Sequence, residues 1–139
     1  MKSPVSIAGL AGFAIALMIL SCSKNDSVPV YNPPQEFVVR MDSVKLGKNP
    51  HPDTLRAQLW GRIGNSTCYQ FSRYQTTRDS FQVRVKVFGT YTESSSCTPA
   101  TIELRGAVYR IEPPFYPGTF TVIVLQPDGS TLRDSVGII

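Results

Sequence analysis

Phe81-Gln82-Val83-Arg84-Val85-Lys86-Val87 decides the fold class. Apolar and polar side chains alternate at every position, so Phe81, Val83, Val85 and Val87 point one way and Gln82, Arg84 and Lys86 the other. A period of two with β-branched residues on one side marks a half-buried strand of an antiparallel sheet. The run is expected to continue to Tyr91.

The same pattern recurs on both sides of it. Phe37, Val39 and Met41 alternate with Val38, Arg40 and Asp42. Leu55, Ala57 and Leu59 alternate with Arg56, Gln58 and Trp60, until Gly61, Gly64 and Asn65 break the run. Cys68 to Tyr74 reads as a strand with Tyr69 and Phe71 on one face. Thr101 to Ile111 reads as another, with Ile102, Leu104 and Val108 together and Gly106 at a bulge or bend. Phe120, Val122 and Val124 form the next, and Leu132 to Ile138 the last. Between these two, Gln126-Pro127-Asp128-Gly129 supplies hairpin turn chemistry. No segment shows a sustained helical period. Seven short strands with a turn signal every 8–12 residues indicate an all-β antiparallel sandwich, with a small β-barrel as the alternative.

The N-terminus follows a different logic. Lys2 precedes an apolar stretch from Val5 to Leu20, shorter than the roughly 20 residues of a membrane span and of the right size for a secretory signal. It ends in Ile19-Leu20-Ser21-Cys22, which resembles the lipobox of bacterial lipoproteins. The resemblance implies a cleaved signal peptide over 1–21 and lipid on Cys22. More than one acyl chain there would hold the protein stably on a membrane. An uncleaved transmembrane anchor is the alternative. Ser23 stands where an Asp would resemble an inner-membrane retention signal, so the outer membrane is the expected location. Residues 22–35 read as a tether, since Pro29, Pro33 and Pro34 favour extended backbone. The sandwich is then expected over 36–139.

With Cys22 assigned to lipid, Cys68 and Cys97 remain as an even pair in an oxidising compartment, and a structural disulfide is expected. A metal site or a redox pair are the rivals. The first lacks nearby ligands and the second lacks Cys-X-X-Cys spacing.

Pro117-Gly118-Thr119-Phe120-Thr121-Val122, the Pro-Asp-Gly turn and the final strand resemble the last hairpin of immunoglobulin-like and fibronectin-like bacterial domains. Together with Cys68 and Cys97 they resemble small secreted β-sandwich domains of bacterial lipoproteins. The chain departs from antibody-type domains, because Trp60 precedes both cysteines and Cys97 sits in a Ser-rich loop. The bridge is therefore expected to pin a loop to a strand and not to cross the core.

Few residues suggest catalysis. His51 is the only histidine of 139 residues and lies between Pro50 and Pro52, a turn composition. No Gly-rich phosphate loop joins a strand to a helix. The carboxylates show no calcium-loop spacing, and spacing alone neither supports nor excludes a glycosidase pair. No enzyme activity, cofactor or metal is expected. The net charge of +4 does not by itself imply nucleic acid, and none is expected as a partner. Arg84 and Lys86, with Arg73, Arg78, Arg105, Arg110 and Arg133, form either a patch for an anionic partner or a solvated strand face. Trp60, Tyr69, Tyr74, Phe88, Tyr91, Tyr109, Phe115 and Tyr116 are candidates for sugar stacking, with core or cross-strand packing as the plainer role. Phe115 and Tyr116, in a Pro-rich loop, are the candidate contact surface. The expected function is a lipid-anchored binding or structural module of the cell envelope. It would contact a partner protein or glycan through loops 93–99 and 113–118 at one end of the sandwich. The rival is a small protease inhibitor acting through the disulfide-pinned loop 93–99.

Overall fold

The computed structural model describes residues 32–48 and 54–139, and they form two facing β-sheets. The strands are β1 (Gln35–Val38), β2 (Ser43–Lys48), β3 (Leu55–Ser66), β4 (Tyr69–Arg78), β5 (Gln82–Tyr91), β6 (Pro99–Ile111), β7 (Gly118–Leu125) and β8 (Thr131–Ile138). One sheet has five strands and is built around β5; the other has the order β2-β3-β6. No barrel closes, and the sandwich expectation holds.

β5 is central because its alternating pattern gives it one buried face. Val83, Val85 and Val87 are fully buried between the sheets. Its two edges are used differently. β4 runs antiparallel along one edge, Tyr69 opposite Tyr91 and Arg78 opposite Val83. The other edge is shared. β1 pairs with its last four residues, and β7 runs parallel to Gln82–Val85. The sheet is therefore mixed and not wholly antiparallel as expected. The parallel pair is possible because β7 reaches β5 by a long connection through β6 of the other sheet.

The described core joins Val83, Val85, Val87, Phe120, Val122 and Val124 of one sheet to Leu46, Leu55, Ala57, Leu59, Ile63 and Ile111 of the other. Val39 and Met41 fill the crossover from β1 to β2. This crossover is fixed by Gln126, which is 7% exposed. Its Oε1 accepts from the Met41 N–H at 2.9 Å and its Nε2 donates to the Met41 carbonyl at 2.8 Å.

Four expectations change. First, Ser43–Lys48 is an eighth strand; Val44 and Leu46 alternate with Ser43 and Lys45 over too few residues to stand out. Second, β3 continues through Gly61 and Gly64 to Ser66. Gly61 lies beneath the crossover, and a Cβ there would come within 2.9 Å of the Arg40 carbonyl oxygen and of Met41 Cα. It marks a close backbone approach and not a break. Third, Gly106 (φ 72°) is the extra residue of a bulge in β6, since Leu59 pairs with Ala107 and Trp60 with Arg105. The bulge was expected, but its effect on side chains was not. It reverses the alternation, so Ile102 and Leu104 pack on the core while Val108 is 40% exposed. Fourth, Phe81 precedes β5 and is 50% exposed, so it does not belong to the buried stripe.

Candidate functional site

The two loops expected to act together lie at opposite ends of the domain. β6 begins after loop 92–98 and ends before loop 112–117. Its 13 residues separate them by about 40 Å at roughly 3.3 Å per residue. The expectation of one shared contact end is thus corrected.

The first end carries the disulfide. Cys68 and Cys97 are bonded, with Cα atoms 5.4 Å apart. Cys68 lies in the turn between β3 and β4, so the bridge joins a turn to a loop outside the core. Loop 92–98 is folded on itself. The Cys97 N–H donates to the Ser94 carbonyl, and the Thr98 N–H donates to Thr67 Oγ1 at 3.0 Å. The described chain begins beside it. Asn32 Nδ2 reaches Glu93 Oε2 at 3.5 Å, and Gln35 pairs with Tyr91. The first described residues, from Asn32, therefore lie at the disulfide end.

The second end, here called the tip, is built by the turn 79–81 and the loop 112–117. Asp79 shapes the turn. Its Oδ1 accepts from the N–H groups of Phe81 and Gln82, each at 3.0 Å, and its Oδ2 accepts from Gln82 Nε2 at 2.7 Å. The bond from the Phe81 N–H is the largest of the effects that hold its carboxyl below the usual range. Arg78 ties the turn to the loop, donating to the carbonyls of Glu112 and Pro114. Its guanidinium lies over the Phe115 ring, 4.9 Å from the centroid.

The candidate pair Phe115 and Tyr116 divides. Phe115 packs inward, edge-on to buried Phe120 at 5.3 Å, so it holds the loop and offers little surface. Tyr116 is 49% exposed and lies 6.2 Å from Phe81. Phe81 is the aromatic that sequence reasoning missed. The Asp79-Ser80 dipeptide ahead of it was the available signal, because an Asx-type turn delays the start of the strand. Arg78, Asp79, Ser80, Pro114 and Tyr116 line a shallow depression of about 240 Å³ beside the pair.

Trp60 lies elsewhere, on the outer face of the three-stranded sheet. It lines a basin of about 350 Å³ with Asp42, Arg62, Glu103 and Arg105. Arg84 and Lys86 are exposed on the outer face of β5, which is the other sheet. The expected cationic groups thus divide between two faces. Cys22 and His51 lie outside the described residues. Among the described residues, no cluster of three or more His, Cys, Asp or Glu side chains is placed to hold a metal ion.

No family model, no curated protein and no solved structure matches this chain.

Proposed function

We propose that the protein is a lipid-anchored, non-enzymatic binding module of the bacterial cell envelope, held in the outer membrane through Cys22. Its tip meets a partner protein of the envelope. The lipobox resemblance supports the anchor. The polarity of the domain supports the tip: its first described strand starts at the disulfide end, and the exposed pair Phe81 and Tyr116 sits at the other. That pair is the observation that carries the reading. Two exposed aromatics beside the polar groups of Arg78 and Asp79 have the composition of a small protein-contact patch, apolar at its centre and charged at its rim.

Photocrosslinking in intact cells tests it. A photoreactive phenylalanine at Tyr116 is expected to give a discrete adduct, and the same group at Glu93 is not. Equal adducts from both positions, or none from Tyr116, would overturn the tip as the contact site. The anchor is tested apart from it. Cys22→Ala is expected to leave unlipidated, uncleaved precursor, read by mass.

A further inference from the structure

The outer face of the sheet β2-β3-β6 carries a second constellation, which does not include the tip residues Phe81 and Tyr116. Its centre is Trp60. Across the strands, Trp60 pairs with Ser43 on one side and with Arg105 on the other. The bulge at Gly106 makes room for the indole. A Cβ on Gly106 would lie 3.3–3.5 Å from three indole atoms, so the ring packs closely against a residue with no side chain. The indole is only half-buried, and its N–H has no hydrogen-bond partner among the described residues. A flat aromatic ring with one side braced and a free donor at its edge is a platform awaiting an occupant.

The groups around it define that occupant. Asp42, Glu103, Arg62 and Arg105 ring the basin. Arg105 Nε donates to Glu103 Oε2 at 2.9 Å, and Arg62 Nη2 reaches Thr101 Oγ1 at 3.4 Å, which leaves most guanidinium donors open. Donors and acceptors gathered about an aromatic plane suit a pyranose. Its C–H face lies on the indole, and its hydroxyls both donate and accept. A peptide aromatic would fill the platform but leave the exposed hydrogen-bonding groups around it to water, whereas a sugar engages both.

Charge narrows the class further. Along the strands of this face stand Lys45, Arg56, Arg62, Arg105 and Arg110, with Glu103 as their single carboxylate; Asp42 lies just before β2. Arg56 pairs directly with Arg110 across β3 and β6. Like charges so placed repel each other. Arg56 Nε is moreover buried with no hydrogen-bond partner. An anion beside these arginines would offset that repulsion. From Arg56 to Trp60 is four residues along β3, about 13 Å, more than the width of one sugar ring.

We infer that this face binds an acidic oligosaccharide lying along β3, one pyranose stacked on Trp60 and a carboxylate reaching Arg56 and Arg110. The inference is independent of the tip, since no residue is shared.

Trp60 is the only tryptophan, so its emission reports on the site directly. The full chain is titrated with tetragalacturonate, and with maltotetraose as the neutral counterpart. A saturable change with the uronate, and affinity at least about tenfold weaker for the neutral oligomer, is the expected result. Arg56→Gln keeps the reporter and is expected to weaken uronate binding about tenfold, the scale of one charged hydrogen bond. Trp60→Leu, followed by calorimetry, is expected to abolish it. If that variant fails to fold, Arg105→Gln supplies the same comparison with the indole in place. No saturable signal with the uronate overturns the inference. So does equal affinity for the neutral oligomer, or equally tight binding of a glutamate oligomer, which would show a surface that reads charge alone.

Discussion

At the scale of single residues, the described domain depends on side chains that satisfy backbone away from regular pairing. Gln126 is the clearest. Met41 sits at the crossover between sheets, where its N–H and carbonyl have no strand partner, and both bond to one buried amide. Each such group left unmet costs about 1–3 kcal/mol. Gln126→Ala is therefore expected to lower stability by about 3 kcal/mol in equilibrium denaturation. A loss below about 1 kcal/mol would mean that the crossover holds itself. Asp128, two residues on, acts in the hairpin turn. Bonds from the Ser130 hydroxyl and N–H, and then from Arg40 at 2.8 Å, bring its carboxyl down from 3.8 to about 2. A depressed acid favours the fold above its unfolded value and loses that contribution as pH falls through the folded one. The contribution is thus complete above about pH 4 and fades toward pH 2. A carboxyl titration by NMR is expected to show the Asp128 midpoint near 2, and Ser130→Ala to move it upward.

At the scale of elements, alternation was legible wherever it ran uninterrupted. Val83 to Val87 and Leu55 to Leu59 are buried on the face their spacing indicates. It failed where a bulge changes the phase. A bulge is a relation between two strands, and one strand's sequence does not state its partner's register. Gly106 pointed to the bulge, but not to Trp60 resting on it, nor to Val108 turning outward. The phase change has a direct test. Val108→Lys is expected to change stability by no more than about 0.5 kcal/mol, and Leu104→Lys to cost more than about 1.5 kcal/mol through lost burial. Equal losses would place both residues on one face. The candidate site was half legible for a related reason. A Pro-rich loop with two adjacent aromatics suggests exposure, yet it does not say which ring turns in. Packing on Phe120 selects Phe115, and Tyr116 finds Phe81 from a turn more than thirty residues earlier. Edges also meet by side chains: Asp134 Oδ2 of β8 accepts from the Leu46 N–H of β2 at 2.6 Å, closing one side of the sandwich.

At the scale of the whole molecule, the two ends of the domain differ in kind. One is tied by a covalent bridge spanning 29 positions of sequence, the other by Arg78 and aromatic packing. A loop of that length adds about 3.5 kcal/mol in the chain-entropy account. The double variant Cys68→Ser, Cys97→Ser is expected to unfold at lower temperature while keeping its strand signal and Trp60 emission, because the bridge lies outside the core. Loss of the fold would show that the bridge organises the sheets and does not merely fasten one end. The shared edge of β5 has a mechanical meaning. β1 starts at the disulfide end and runs toward the tip, antiparallel to β5. A pull on the chain ahead of Gln35 therefore acts along β1 and loads its four pairings with β5 in shear, all at once, where a crosswise pull would peel them singly. Behind them the Gln126 clamp on Met41 resists the same force, so tension from the N-terminal side meets two successive catches before it reaches the valine core.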